Sequence, residues 1–345
     1  MRAVQNPPTS LSTWQAGALV VASMVGTGVF TTSGFLLQEL GAPWAVLLVW
    51  AVAGALALAG AAVYGELGAM MPRVGGEYVY LSRLHPALGF LGGFVSLIVG
   101  FAAPMAAGAE AFSRYLQAAW PGAPGRWSGY VLLLLVTVLH ARDVHRAGRL
   151  QVWATLLNVT AIVALIAIGL WSLVTGSGTA APVVEAALPG PGISRFAVGL
   201  VLVSYSYFGW NAAAYVAGEL RDPGRSLPRV LLFGCLLVTV LYVALNAVLL
   251  KLVPPAQAAG RLEIAHLAVE RALGLPAARL LSLVIAGVLA ASVSALTMTG
   301  ARVSLAMAED GRFFRVFARR NARGAPAAGV ALQGGLALVM ALSAT

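Results

Sequence analysis

Two stretches decide the fold: Ser23-Met24-Val25-Gly26-Thr27-Gly28-Val29-Phe30 and Val203-Ser204-Tyr205-Ser206-Tyr207-Phe208-Gly209-Trp210-Asn211. Each lies inside an apolar run long enough to cross a bilayer, and each carries residues that interrupt a helix there. Backbone groups freed from a helix in lipid cost several kcal/mol unless protein or water satisfies them, so breaks tend to line sites. In the first stretch two glycines flank a threonine. Unwinding there exposes N–H groups at the start of the next half-helix, and those amides with the positive dipole end make a carboxylate site. Close packing of small residues against another helix is the other reading. In the second stretch an aromatic and hydroxyl cluster surrounds Gly209. Lipid-facing Tyr and Trp belong at the interfaces, not the midplane. Freed carbonyls here can accept from an ammonium group while the aromatics close over a ligand; a buried aromatic core is the alternative. The breaks lie about 180 residues apart, each in the first span of a run of five. Interrupted spans in corresponding positions of two halves point to a secondary transporter.

Composition agrees with a lipid solvent. Of 345 residues, 60% are hydrophobic and 10% charged, with a mean hydropathy of +0.87. An ordinary soluble domain carries about 25% charged residues, so 34 are too few to cover a soluble protein of this size. High hydrophobicity with little charge also excludes a disordered chain. The single cysteine, Cys235, allows no intrachain disulfide and no multi-cysteine metal site. The start of the chain is polar, with two prolines, and lacks the pattern of a cleavable signal.

Nine apolar runs qualify as spans: about 14–37, 44–65, 88–113, 128–141, 151–174, 196–218, 230–250, 279–305 and 326–344. With the N-terminus in the cytoplasm, the inner loops and span ends hold 15 Arg/Lys, Arg302 among them, and the outer ones 7. That asymmetry is the positive-inside signal, and it accounts for most of the net charge of +10. The cations are scattered between apolar runs, which argues against a nucleic acid partner. Residues 66–87 read as a cytoplasmic loop, and 260–273 as a short helix within an external one.

Other polar residues receive plainer readings. Glu110, near the outer end of the third span, is expected to reach the interface and pair with Arg114 at i,i+4. Glu219 beside Arg221, and Glu66, read as interface or gate pairs. His140, Asp143 and His145 sit among Arg142, Arg146 and Arg149 and read as a solvated turn rather than a metal site. Hydrolase and phosphate-loop signatures are missing, so an enzyme reading lacks a nucleophile, a zinc motif or a nucleotide loop. A channel would need a ring of pore charges, and none is visible.

The motifs also carry a family resemblance. Val25-Gly26-Thr27-Gly28-Val29-Phe30 resembles the unwound segment of the amino acid–polyamine–organocation permeases. Met71-Pro72-Arg73-Val74-Gly75-Gly76-Glu77-Tyr78-Val79-Tyr80 is similar to that family's first cytoplasmic loop. Phe208-Gly209-Trp210-Asn211, Glu219-Leu220-Arg221-Asp222-Pro223 and Leu227-Pro228-Arg229 resemble its sixth span and following loop, and Ala301-Arg302-Val303 with Ala306-Met307-Ala308-Glu309-Asp310-Gly311-Arg312 the end of its eighth span. The match runs from about residue 14 to 325. It implies an all-α polytopic membrane protein with a leucine-transporter-like bundle of two inverted repeats, about 14–174 and 196–345. The whole chain, 1–345, then forms one transmembrane domain in the cell membrane.

The resemblance further implies alternating-access transport of amino acids or amines, with no metal or organic cofactor. The amides of Gly26, Thr27 and Gly28 would hold the substrate carboxylate, and the carbonyls of Tyr205, Ser206 and Phe208 its amino group, around Gly209. Tyr205 matches the family's gating aromatic, with Trp210 beside it, and Tyr242 matches a tyrosine near the site. Ser292 and Ser294 lie where sodium-coupled relatives place hydroxyl ligands. Asn158 falls where some members carry a coupling lysine. Asparagine carries no proton at neutral pH, which favours exchange or facilitated uptake over lysine-based proton coupling. The coupling candidates are therefore Asn158, Ser292, Ser294 and Glu110, with H+, Na+ or a counter-substrate as partner. With no acidic side chain evident near the breaks, small or medium neutral amino acids are the weakly preferred substrates. The repeat needs ten spans and this sequence supplies nine, so the second repeat is expected to be incomplete. A truncated, non-transporting paralogue or scaffold is the alternative that follows, with a membrane enzyme or channel behind it.

Overall fold

The computed structural model of the chain describes residues 11–142, 144–176, 190, 192–261 and 263–343, and these are helical nearly throughout. The first span is two half-helices, α1 (Thr13–Met24) and α2 (Thr27–Leu40), followed by α3 (Pro43–Met70). A short helix, α4 (Glu77–Leu84), precedes the third span, which runs as α5 (Pro86–Val95), a π-helical turn (Ser96–Ala102) and α6 (Ala103–Ala119). Next come α7 (Arg126–Arg142), α8 (Val144–Thr175) and α9 (Ile193–Ser206). After an irregular turn the sixth span resumes as a 3-10 helix (Ala212–Glu219). The remainder is α10 (Pro223–Leu252), α11 (Pro255–Ala258), α12 (Ile264–Leu273), α13 (Leu275–Glu309) and α14 (Ala327–Ser343). The short helix expected in 260–273 is α12.

Six helical stretches among the described residues are long and apolar enough to cross a bilayer: Thr13–Leu40, Pro43–Met70, Pro86–Ala119, Thr155–Thr175, Pro223–Leu252 and Leu275–Glu309. The expected fourth, sixth and ninth spans are shorter, at 17, 14 and 17 residues for α7, α9 and α14. For α9 the reason is the break itself, since the chain leaves the α-helix at Tyr207 and continues only as the 3-10 turn. For α7 the reason is its polar ends, Arg126 and Arg142.

Local sequence sets the helix ends. Ser12 and Gln15 form a capping box at the start of α1, and Pro43 occupies the first turn of α3. The outside of the bundle is apolar, with Leu56, Leu135, Val201 and Phe233 all exposed, as a lipid-facing surface requires. Inside, a stripe of small residues on α3 (Gly54, Ala57, Ala61, Gly65) lets α10 approach closely. A Cβ at Gly65 would lie 2.9 Å from the Cα of Pro228.

Candidate functional site

The two breaks meet. Val25 leaves the helical region at ψ 94°, and Gly26, with φ −138° and ψ −149°, stands ahead of α2 with no side chain capping the helix start. The first amides of α2 therefore lack helical partners. In the sixth span Gly209 takes φ +100°, and a Cβ there would lie 2.5 Å from the carbonyl carbon and oxygen of Ser23. Only glycine fits a left-handed backbone pressed on another backbone. One turn on, a Cβ at Gly28 would lie 2.2 Å from Ser206 Oγ. The amide end of α2 and the carbonyl end of α9 thus face the same place, which offers donors at one end and acceptors at the other.

A cavity of about 30 Å3 lies there, lined by Gly26, Gly28, Tyr205, Ser206, Phe208 and Ser292 among others. That is room for a few waters at most, since each needs roughly 10–15 Å3 on this measure. Tyr205 and Phe208 both line it and pair edge to face at 5.6 Å. Phe208 is 40% exposed. The Tyr205 carbonyl already accepts from the Phe208 amide at 3.2 Å.

Not every expected site residue faces this cavity. Trp210 turns toward α3, its ring against Gly60 and edge-on to Tyr64 at 4.9 Å. Tyr242 also stands behind the cavity. Its hydroxyl donates to Met24 O at 2.6 Å and lies 3.3 Å from Ser206 O, the last carbonyls of the two half-helices. It joins the breaks to each other. The backbone of Thr27 opens α2, and its side chain lies outside those described. Ser292 lines the cavity, with its Oγ 2.9 Å from where a Gly26 Cβ would be. Ser294 does not line it. Residues two apart on a helix face different ways, and Ser294 Oγ instead meets His140 Nε2 at 2.8 Å.

Asn158 is fully buried, and neither its Nδ2 nor its Oδ1 has a hydrogen-bond partner. It lies on α8, which packs against both α1 and α13. Glu110 pairs with Arg114 at 3.0 Å, as its spacing predicts. The pair borders a second pocket of about 620 Å3, apart from the break cavity.

Three readings need correction. His140 is buried against Ser294 rather than solvated, because α7 packs on α13. Asp143 and the side chain of His145 lie outside the described residues. Arg302, counted with the cytoplasmic charges, is 2% exposed inside α13. Glu219, 6% exposed, takes Arg302 rather than Arg221 as its partner, through Nε–Oε1 at 3.0 Å and Nη2–Oε2 at 2.7 Å. Arg320 adds a longer contact at 3.5 Å.

The sequence reading also missed the support behind the breaks. Trp50 packs on Tyr207 at 5.9 Å and Tyr242 at 5.3 Å, and donates to Ser33 Oγ at 3.2 Å. Ser33 in turn bonds Asn246, and Thr32 meets Ser206 at 3.1 Å. Hydroxyls and a carboxamide inside apolar runs are the sequence signal for such a network.

The loop before α4 packs on the 3-10 helix of the sixth span and on the end of α13. Gly75 N donates to Tyr215 O at 3.1 Å, and Arg73 and Tyr78 both bond Asp310, at 2.7 and 3.0 Å. Burial and that carboxylate hold the Tyr78 hydroxyl above its usual pKa.

Comparison with known proteins matches this architecture to a family. The amino acid permease family matches residues 11–345. The chain belongs to that family. The human large neutral amino acids transporter small subunit 2 is 30% identical over 271 residues, covering 76% of this chain and 51% of that protein. The serine/threonine exchanger SteT of Bacillus subtilis is 28% identical over 237 residues, covering 68% and 53%. This permease-family chain spans about half the length of the curated relatives it matches. Mhp1, a nucleobase-cation-symport-1 family transporter solved in a closed conformation with bromovinylhydantoin bound, aligns at a TM-score of 0.51 with 15% identity, over 97% of this chain and 72% of that one. That likeness establishes the fold: a multi-pass, leucine-transporter-like helical bundle. The chain is of a transporter family and not an enzyme.

Proposed function

We propose that the chain carries amino acids across the cell membrane by alternating access, with the substrate held between the two breaks. The observation that carries this reading is the meeting of α2's amide end and α9's carbonyl end at one cavity. A zwitterion matches that polarity, carboxylate on the Gly26–Gly28 amides and ammonium on the carbonyls of Tyr205, Ser206 and Phe208. The cavity is smaller than an amino acid, so entry requires Phe208 and Tyr205 to swing away. The N-terminus lies in the cytoplasm by the positive-inside count, and the repeats run about 14–174 and 196–345. Relatives named as transporters and exchangers of amino acids support this substrate class and a counter-substrate.

Binding of twenty amino acids and several amines to the purified chain, read by thermal shift, tests the proposal. Saturable stabilisation by one class is expected. Gly26→Leu should weaken it at least tenfold, because the new side chain fills the cavity. Gly26→Ala is the companion variant, since its single Cβ meets first the rotatable Ser292 hydroxyl, and its melting temperature should stay near that of the unaltered chain. Equal binding by Gly26→Leu would rule out a site at the break.

Among the coupling candidates this reading favours Asn158 and Ser292 over Ser294 and Glu110, whose side chains already have partners. An unpartnered buried polar group costs about 1–3 kcal/mol. Asn158→Leu should therefore raise the melting temperature, while uptake into vesicles loses its dependence on Na+. A lower melting temperature would mean that Asn158 serves packing rather than coupling.

A further inference from the structure

A groove opens on the outside of the bundle where α1, α8 and α10 meet. Its volume is about 620 Å3, within the roughly 300–1,000 Å3 of sites that hold small molecules. Gly17 leaves it open, since a Cβ there would meet nothing within 4 Å. Phe233 and Leu237 line its length. At one end stand Trp14, 86% exposed, and Arg229. Arg229 is exposed and makes no hydrogen bond or ion pair among the described residues. Arg225 lies one turn earlier on the same face of α10. From Arg229 to Leu237 the helix rises about 12 Å, against roughly 15 Å for half of a 30 Å hydrocarbon core.

Trp and Arg mark the level of the membrane interface, so the groove runs from the headgroups into one leaflet. Its polar end is cationic and its length is apolar, which is the polarity of a single anionic phospholipid. We propose that this groove is a specific anionic-phospholipid site, with the phosphate on Arg229 and Arg225 and one acyl chain lying past Gly17. A zwitterionic lipid would fill the slot equally well but would gain less from two exposed guanidinium groups. The same groove contains the bond from Thr155 Oγ1 to Ala18 O, 2.9 Å long, that ties α8 to α1. A lipid seated there lies against the half-helix that ends at the first break.

The test is native mass spectrometry of the purified chain from mixed micelles, with phosphatidylglycerol and phosphatidylcholine of matched chains. Phosphatidylglycerol should be retained at least fivefold over phosphatidylcholine. The double variant Arg225→Gln/Arg229→Gln should bring that ratio below two, whereas Arg83→Gln, an exposed arginine on α4, should leave it unchanged. Gly17→Leu should reduce phosphatidylglycerol retention severalfold with an unchanged melting temperature. In bilayers of phosphatidylglycerol with brominated chains, quenching should include a component that Trp14→Phe removes; this holds the groove to account if Gly17→Leu folds poorly. No preference in the unaltered chain, or a preference that survives loss of both arginines, would overturn the proposal. So would the absence of the Trp14 component.

Discussion

Gly209→Ala is expected to give a large loss of stability. Two costs coincide. At φ +100° an L side chain meets its own backbone, at about 1–2 kcal/mol. The added Cβ also lands 2.5 Å from the backbone of Ser23. A flexible side chain would yield, but a carbonyl at the end of α1 moves only if the half-helix moves. Overpacking of this kind costs about 1–3 kcal/mol. The sum, about 2–5 kcal/mol, is a large share of the roughly 5–15 kcal/mol by which a folded protein is stable. Thermal unfolding in detergent should show a large drop in melting temperature together with loss of amino acid binding. Gly335→Ala is the control: that glycine is helical with nothing near its absent Cβ, and its variant should be neutral or slightly stabilising. An unchanged melting temperature for Gly209→Ala would mean that the two breaks do not touch.

Glu219→Ala is expected to cost about 3–5 kcal/mol, the penalty for leaving a buried charge without its partner. Arg302 would keep its bond to Met298 O but lose both carboxylate contacts at 2% exposure. Arg320, a quarter exposed and 3.5 Å away, contributes little to the pair. Glu219→Ala/Arg302→Met should recover most of the loss, because the apolar pair buries no charge. A double-mutant cycle measures this directly. If both single variants unfold like the unaltered chain, the pair is solvated and this end of the bundle is looser than its packing indicates. The backbone at this point is also tied to the N-terminal segment, with Leu11 N donating to Glu219 O at 2.5 Å. Glu219 therefore joins the sixth span, α13 and the chain's start. On the alternating-access reading these are contacts that inward opening must break.

Sequence alone determined the class and the position of the breaks. Apolar runs of spanning length, sparse charge and glycines in mid-span are local properties, and lipid enforces them because an unsatisfied backbone has no water to turn to. The Glu110–Arg114 pair was legible for the same reason, since i,i+4 spacing is fixed by one helix. Tertiary structure decided what depends on the rotation of one helix against another. It put Ser292 at the cavity and Ser294 on His140. It turned Trp210 to α3 and set Tyr242 behind both breaks as their link. It moved Arg302 from a supposed loop charge to the buried partner of Glu219, 83 residues away in sequence. Hydropathy reports how far a residue lies along a span, but not which neighbour its side chain faces. That choice belongs to packing between helices distant in the chain.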